Sequence, residues 1–465
     1  MKNTKGVISL FSGALGLDLG LEKAKFELLT AVDSDKFVID TINNNKHLLR
    51  NKSPIVYQKS ITTENIKSIC NDIKDTIKGN NVKPFILAGA PPCQPFSTAG
   101  KRMSMLDYRS IGIFVFMEAV KILKPRYFVI ENVKGIISAA KKHRPLAQRG
   151  PGFPPLSPEE EYGSAFFKIL NDLKKLAKEQ RYCITWGIIN AADYGCPQSR
   201  ERLIIIGSLD GHHVWPKATH ANIKTKSKSK WVSLKKAFEN LKEENPVFEN
   251  FSTKTKKYLK LINAGENWKA LPSHMQKDAI GGAYESWGGR SGFLRRLAWD
   301  KPAPTITSCP TARATMLCHP TEIRPLSVRE CARIQQFPDG WQFVGHTAQQ
   351  YKQIGNATPI AIGVAIGKEI LMLHNKGKPG KHKGKLFCAD RALLDRIIQR
   401  PTTQLNPKKM RRNKNSAEAK TWLDNAGSNR CSFNIFNAID DFLLNKKSSN
   451  KTSVNSNIYQ EGVQP

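Results

Sequence analysis

Between residues 6 and 208 short apolar runs alternate with longer amphipathic stretches, and this alternation constrains the fold more than any other feature. GVISLF (residues 6–11), ELLTAVD (27–33), PFILAGA (84–90), YFVIENV (127–133) and RLIIIGS (202–208) are almost continuously apolar. Such runs suit parallel strands covered on both faces. GIFVFMEAVKILK (112–124) and SAFFKILNDLKKLAKEQ (164–180) place apolar residues at helical spacing. Strands and helices in turn imply a doubly wound α/β sheet, with any ligand at the carboxyl ends of the strands. Residues 141–163 (KKHRPLAQRGPGFPPLSPEEEYG) interrupt the rhythm and predict a long loop on that ligand side.

The alternation fades after residue 210. From Gly211 to Ala298 there are 17 Lys+Arg against 7 Asp+Glu, interleaved with Trp215, Trp231, Trp268, Tyr284, Trp287 and Phe293. This mixture suits phosphates and base edges, and it also fits a solvated insertion of low order. LSVRECARIQQFP and PIAIGVAIGKEILMLH restore helical spacing between residues 325 and 375. The expected organisation is therefore 1–210 for catalysis and cofactor binding, 211–324 for recognition, 325–375 as a return segment, and 376–465 as a basic, partly disordered tail. A formal net charge of +34 favours a polyanionic partner, although part of the surplus reads as a general excess of Lys. Nine Cys, none spaced as CxxC, argue against a disulfide framework and against a zinc site built on Cys pairs, and no metal is expected. No run of about 18 apolar residues predicts a membrane span, and the N-terminus does not resemble a secretion signal, so a cytoplasmic protein is expected.

Four segments carry candidate chemistry. LFSGALGLDLGLE (10–22) reads as a strand, a Gly-containing turn and a helix, able to approach a ligand at Phe11, Ser12, Gly13, Leu15 and Gly16. On its own it is equally a plain strand–turn–helix. Asp33 ends the next strand about 20 residues on, where an acid can bind ribose hydroxyls. In ILAGAPPCQPFSTAGKR (86–102) two prolines hold the backbone extended just before Cys93, at a position above the sheet. A thiol there reads as a nucleophile, whereas Cys70, Cys183 and Cys431 read as structural. Glu131, after four apolar residues, is placed for a raised pKa and proton donation, or equally for capping the next helix. Arg200 and Arg202 alternate into a buried strand, where they suit a base carbonyl or ordinary ion pairing.

In this order, FSGALG, the acid after strand two, PPCQPFS, ENV, QSRER, RLAWDKPAPTIT (296–307), RPLSVRECARIQQFPD and IGNATP (354–359) resemble the DNA (cytosine-5)-methyltransferases over roughly residues 6–375. The resemblance implies a Rossmann-like S-adenosylmethionine-dependent domain with a smaller, irregular target-recognition domain. It also implies that Asn356 returns to the cofactor beside Pro91, Ser60 and Ile61. Ser60 stands where the family usually shows an acid, and Leu15 where a Gly often stands. Cys93 would add to C6 of a flipped-out cytosine, Glu131 would hold and protonate N3, and Arg202, with Arg200, would bind O2. Base flipping costs a few kcal/mol. Gln94, Ser97, Lys101 and Arg102 of the catalytic loop, with Arg290, Arg295 and Arg296, are expected to face double-stranded DNA. The nearest rivals are a tRNA cytosine-5 methyltransferase and a non-catalytic DNA-binding regulator. The Pro95-Phe96-Ser97 tripeptide and the large insertion favour DNA. A compact chain with one recognition insertion resembles a bacterial restriction–modification methylase, a monomer paired in function with an endonuclease.

Overall fold

The computed structural model describes residues 5–79, 84–92, 111–145, 148, 153–161, 163–285 and 290–390. Cys93, Gln94, Ser97, Lys101 and Arg102 lie outside these residues, as does everything after 390.

Strands β1 (Gly6–Leu10), β2 (Glu27–Asp33), β3 (Ile55–Gln58), β4 (Pro84–Gly89), β5 (Tyr127–Val133) and β6 (Cys183–Asn190) build the central sheet, with helices α1 (Gly16–Lys23), α2 (Lys36–Asn44), α3 (Ile66–Gly79), α4 (Gly112–Leu123) and α5 (Ser164–Gln180) between them. Two-residue β7 (Gln198–Ser199) precedes β8 (Glu201–Ser208), and then come short β9 (His220–Ala221), β10 (Ser229–Lys230), β11 (Ala303–Pro304) and β12 (Leu386–Cys388). The eight-stranded sheet runs β12-β6-β8-β5-β4-β1-β2-β3. Four of the five expected strands are parallel as anticipated, but RLIIIGS is not. It forms β8, antiparallel to both β5 and β6. The link from β6 to β8 is only Ala191 to Arg200, too short for the crossover that a parallel pair needs, so the chain turns straight back. Burial on both faces makes its composition identical to that of a parallel strand. The sequence pattern also did not separate β3, β6 and β12.

The tail boundary at 376 needs correction. After α11 (Ile360–Asn375) the chain is stitched along the sheet's amino edge: Gly380 N donates to Asp210 O at 2.7 Å, His382 N to Gly211 O at 3.1 Å, and Gly384 N to Tyr182 O at 3.0 Å. It then adds β12 in parallel to β6. Thr347–Asn375 is apolar and long enough, by composition alone, to cross a membrane. It is two helices, α10 (Thr347–Asn356) and α11, interrupted at Ala357–Pro359. The apolar face of α11 is buried against α1.

That contact closes the cofactor half of the sheet with sequence from the far end of the chain. A Cβ on Gly20 would lie 2.4 Å from Ile360 O and 2.6 Å from Gly363 Cα. Residues 211–324 hold α6 (Leu234–Ala237), whose Leu234 joins the main core, and α7 (Thr253–Leu259) and α8 (Ser273–Ile280), which pack around a small core of their own that includes Leu259, Ile262, Trp268, Leu294 and Met316. α9 (Val328–Ile334) starts at a Ser327–Glu330 capping box and returns the chain to the sheet.

The α1–α11 contact is backbone against backbone and cannot yield by side-chain rotation. Gly20→Val is expected to cost about 3 kcal/mol or more, read as a lower urea midpoint with unchanged slope.

Candidate active site

Phe11 to Gly16, Asp33, Ser60, Ile61 and Pro91 lie at or just beyond the carboxyl ends of β1, β2, β3 and β4, and Asn356 ends α10. The loop after β1 is wound by left-handed backbone at Phe11 (φ 53°), Gly13 (φ 51°) and Leu15 (φ 66°). Ser12 Oγ accepts from Val32 N at 3.0 Å, clamping the loop to β2. Asp33 faces it, with one carboxylate oxygen accepting from Gly13 N at 2.9 Å and the other from Asp35 N at 3.0 Å. Burial raises the Asp33 pKa and these amides oppose the rise. Gly16 lies against the return segment, since a Cβ there would sit 2.2 Å from Thr358 O. Asn356, two residues before Thr358, is exposed. Lys59 N donates to Asp33 O at 2.9 Å, which brings exposed Ser60 and half-buried Ile61 to the same rim.

Leu15 explains its own departure from the usual Gly. Left-handed backbone costs a Leu roughly 1–2 kcal/mol, but its side chain is completely buried in the core. Losing such a side chain costs roughly 2–5 kcal/mol, so packing outweighs strain.

Two strands further along, Glu131 lies near the end of β5 and is 6% exposed. Arg202 begins β8 opposite Val133, and its Nε lies 2.8 Å from Glu131 Oε1. Desolvation raises the Glu131 pKa, against the pull of Arg202 and Arg200. The next residue, Asn132, donates its side-chain amide to Pro91 O at 3.3 Å. This ties the strand that carries the carboxylate to the loop entering Cys93, two residues further on.

Arg200 is employed differently from the expectation. Its guanidinium donates to Ile306 O at 2.7 Å and Gly355 O at 2.8 Å, and it is 2% exposed. It acts on Glu131 through its charge and holds together the segments that flank the site, whereas Arg202 makes the direct pair. Two glutamines missed in the sequence complete this seam. Gln198 donates to Gln335 at 2.9 Å and accepts from Ile306 N at 2.8 Å, and Gln335 donates to Ile354 O at 2.7 Å and Ala357 O at 3.1 Å. Gln198 sits in the QSRER run, so that motif was a signal, but nothing local marks Gln335 as its partner.

Arg296 and Arg290 have structural partners within the region. Arg296 donates to Ile262 O, Pro320 O and Thr321 O, each at 2.8 Å, and so braces the recognition region internally. Arg290 stacks over Trp268 (4.9 Å to the ring centre) and Tyr284 (5.8 Å) and donates to the Ala283 and Tyr284 carbonyls. Of the three, Arg295 makes the smallest structural commitment, Nε to Met316 O at 3.0 Å, and burial lowers its pKa to about 10. The described part of loop 141–163 leaves from the carboxyl end of β5 and is pinned by an Arg144–Glu160 ion pair at 2.6 Å. Cys70 and Cys183 are fully buried, with burial pushing each thiol up to about 12, in keeping with structural roles.

A Rossmann-like α/β enzyme, with a nucleoside-type loop and a buried carboxylate–guanidinium pair on one sheet edge, is the class these features define. The chain belongs to the C-5 cytosine-specific DNA methylase family, which it matches over residues 6–372. It is 32% identical to the type II methyltransferase M.Sau96I of Staphylococcus aureus over 80% of this chain and 76% of that one. Its identity to M.PspPI of a Psychrobacter strain is 34%, over 79% of each chain. A crystal structure described as a prophage-encoded DNA modification methyltransferase of E. coli superposes with a TM-score of 0.51 at 22% identity, covering 80% of this chain and all of that one, and so shares the fold. The protein is a DNA cytosine-C5 methyltransferase, which separates it from the tRNA enzyme and the non-catalytic regulator considered above.

Two expectations follow. Leu15→Gly relieves the backbone yet lowers stability by a net of about 2 kcal/mol, the difference between the midpoints of the two ranges above, measured by denaturant unfolding. Asp18, on the first turn of α1, is 3% exposed, and burial pushes its pKa up to about 7. The folded state therefore keeps its proton to higher pH than the unfolded chain. Its stability contribution is fully present below about pH 4 and is lost as pH rises through about 7. Asp18→Asn removes this loss, so the variant gains on wild type in unfolding midpoint between about pH 5 and pH 8.

Proposed function

We propose that the enzyme takes S-adenosylmethionine at the loop of residues 11–16 and adds Cys93 covalently to C6 of a cytosine flipped out of double-stranded DNA. The observation that carries this reading is the buried Glu131–Arg202 pair at the carboxyl edge of the sheet. The cofactor assignment is supported by the chemistry of the donor set. Asp33 presents a carboxylate to ribose hydroxyls, the αL turns at Phe11, Gly13 and Leu15 open the loop's backbone, and Asn356 closes the rim beside Ser60, Ile61 and Pro91. When bound, the cofactor supplies an electrophilic methyl group.

The remaining chemistry belongs to the chain. Cytosine C5 is a poor nucleophile. Addition of the Cys93 thiolate to C6 moves electron density onto C5 as an enamine. Glu131, with its pKa held above the usual carboxylate range, donates a proton to N3 and withdraws charge from the ring. Arg202 keeps Glu131 oriented and offers a donor to O2, while Arg200 acts on Glu131 through its charge. After methyl transfer, loss of the C5 proton and expulsion of the thiolate restore the aromatic ring. Gln94, Ser97, Lys101 and Arg102 would contact the DNA around the flipped base, and residues 211–324, through Arg295 among others, would read the flanking sequence. In the cell this suits a cytoplasmic monomer that marks host DNA and works alongside a restriction endonuclease without needing a complex with it.

Methylome sequencing of duplex DNA treated with the purified protein tests the reading. The expected product is methyl on cytosine C5 within one short sequence, and label on an exocyclic nitrogen would overturn it. Cys93→Ala should abolish turnover. Glu131→Gln should lower kcat by roughly 10²–10⁴-fold with far less change in cofactor affinity.

A further inference from the structure

We infer that residues 219–231 form a second DNA-binding element, a basic arm that grips phosphates outside the recognition sequence. This rests on the reading of the chain as an enzyme of duplex DNA and adds a surface to it.

The arm is built at the substrate edge. β6 runs parallel to β5, so the end of β6 and the turn Ala191–Tyr194 that follows lie on the same edge as Glu131. The arm is fastened to that turn. Thr219 N donates to Asp193 O at 2.9 Å, and Trp231 Nε1 donates to Asp193 Oδ1 at 2.9 Å. Its base is closed by Ser229 N to Thr219 O at 3.0 Å and Trp231 N to Ala221 O at 2.9 Å. Its tip is closed by Thr225 N to Lys228 O at 3.0 Å and Lys228 N to Thr225 Oγ1 at 3.1 Å. Between them stand Lys224, Lys226, Lys228 and Lys230, and Ile223, 77% exposed, shows that the arm projects from the body. None of the four lysines makes an ion pair among the described residues, although such pairs are common elsewhere in the chain.

Unpaired lysines spaced by alternate residues on an anchored arm raise the local positive field at a fixed place. Lysine is a point charge without the planar fork that reads a base edge, so its fitting partner is a phosphate. The arm's fastenings go to the turn that follows β6 and not to the core around Trp268, so its contacts would fall beyond the bases read by the segments on that core. β12 reinforces the same corner. It runs parallel to β6, and Gly187 is packed between Trp215 and Ala389.

The test uses full-length protein and the sequence mapped by methylome analysis, in a long duplex and in one trimmed close to that sequence. For K224Q/K226Q/K228Q, the slope of log affinity against log salt on the long duplex should become shallower by about 2–3, at about 0.9 for each phosphate that the arm no longer neutralises. On the trimmed duplex it should hardly change. Affinity for S-adenosylmethionine should be unchanged, and K224R/K226R/K228R should keep the wild-type slope. An unchanged slope on the long duplex would overturn the inference. An equal loss on both duplexes would also overturn it, by placing the arm over the recognition sequence. Wild-type protein that methylates no duplex would instead sink the functional reading beneath it.

Discussion

The site depends on a carboxylate and a guanidinium held 2.8 Å apart where water is almost excluded. Neither Glu131 nor Arg202 could be buried alone, since an unpaired buried charge costs about 3–5 kcal/mol. Their meeting requires β8 to run against β5, because only then does the start of one strand lie beside the end of the other. The single reversed strand within an otherwise parallel sheet is thus the feature that brings this pair together at the sheet's edge. The same enclosure raises the Glu131 pKa, and Arg202, which fixes the geometry, opposes that rise.

Around this pair the fold gathers segments that are remote in sequence. Arg200 and Gln198 reach Ile306 and Gly355, Gln335 reaches Ile354 and Ala357, and Gly16 and Gly20 receive the backbone of the return segment. Each is a backbone carbonyl or amide satisfied by a buried side chain, or a close approach that only a missing Cβ allows. The cofactor loop, the catalytic strands and the exit from the recognition region consequently share one polar seam.

Much of this could be read in the sequence where local pattern and chemistry coincide. Buried strands and their helices announced a doubly wound sheet, and Asp33, Glu131 and Arg202 stand at strand termini where motif spacing put them. Strand direction was not readable in RLIIIGS, because burial on both faces erases the difference, and only the shortness of the link from Ala191 to Arg200 carried the signal. β12 hid in a basic stretch because a three-residue strand has no periodicity. The carbonyl and ring partners of Arg290 and Arg296 were not readable, because they lie in segments that no local pattern links. Gln335 was invisible because its partners lie far away in the chain.

The central claim is that the chain activates cytosine by covalent addition, and trapping the adduct tests it most directly. A duplex with 5-fluorocytosine at the target position offers no proton at C5 for the final elimination, so addition becomes irreversible once the methyl group has been transferred. Incubation with enzyme and S-adenosylmethionine, followed by denaturing electrophoresis and peptide mapping, should give a protein–DNA conjugate joined at Cys93. Methyl transfer to ordinary duplex with no conjugate on the fluorinated one, or a conjugate through any other residue, would contradict the account.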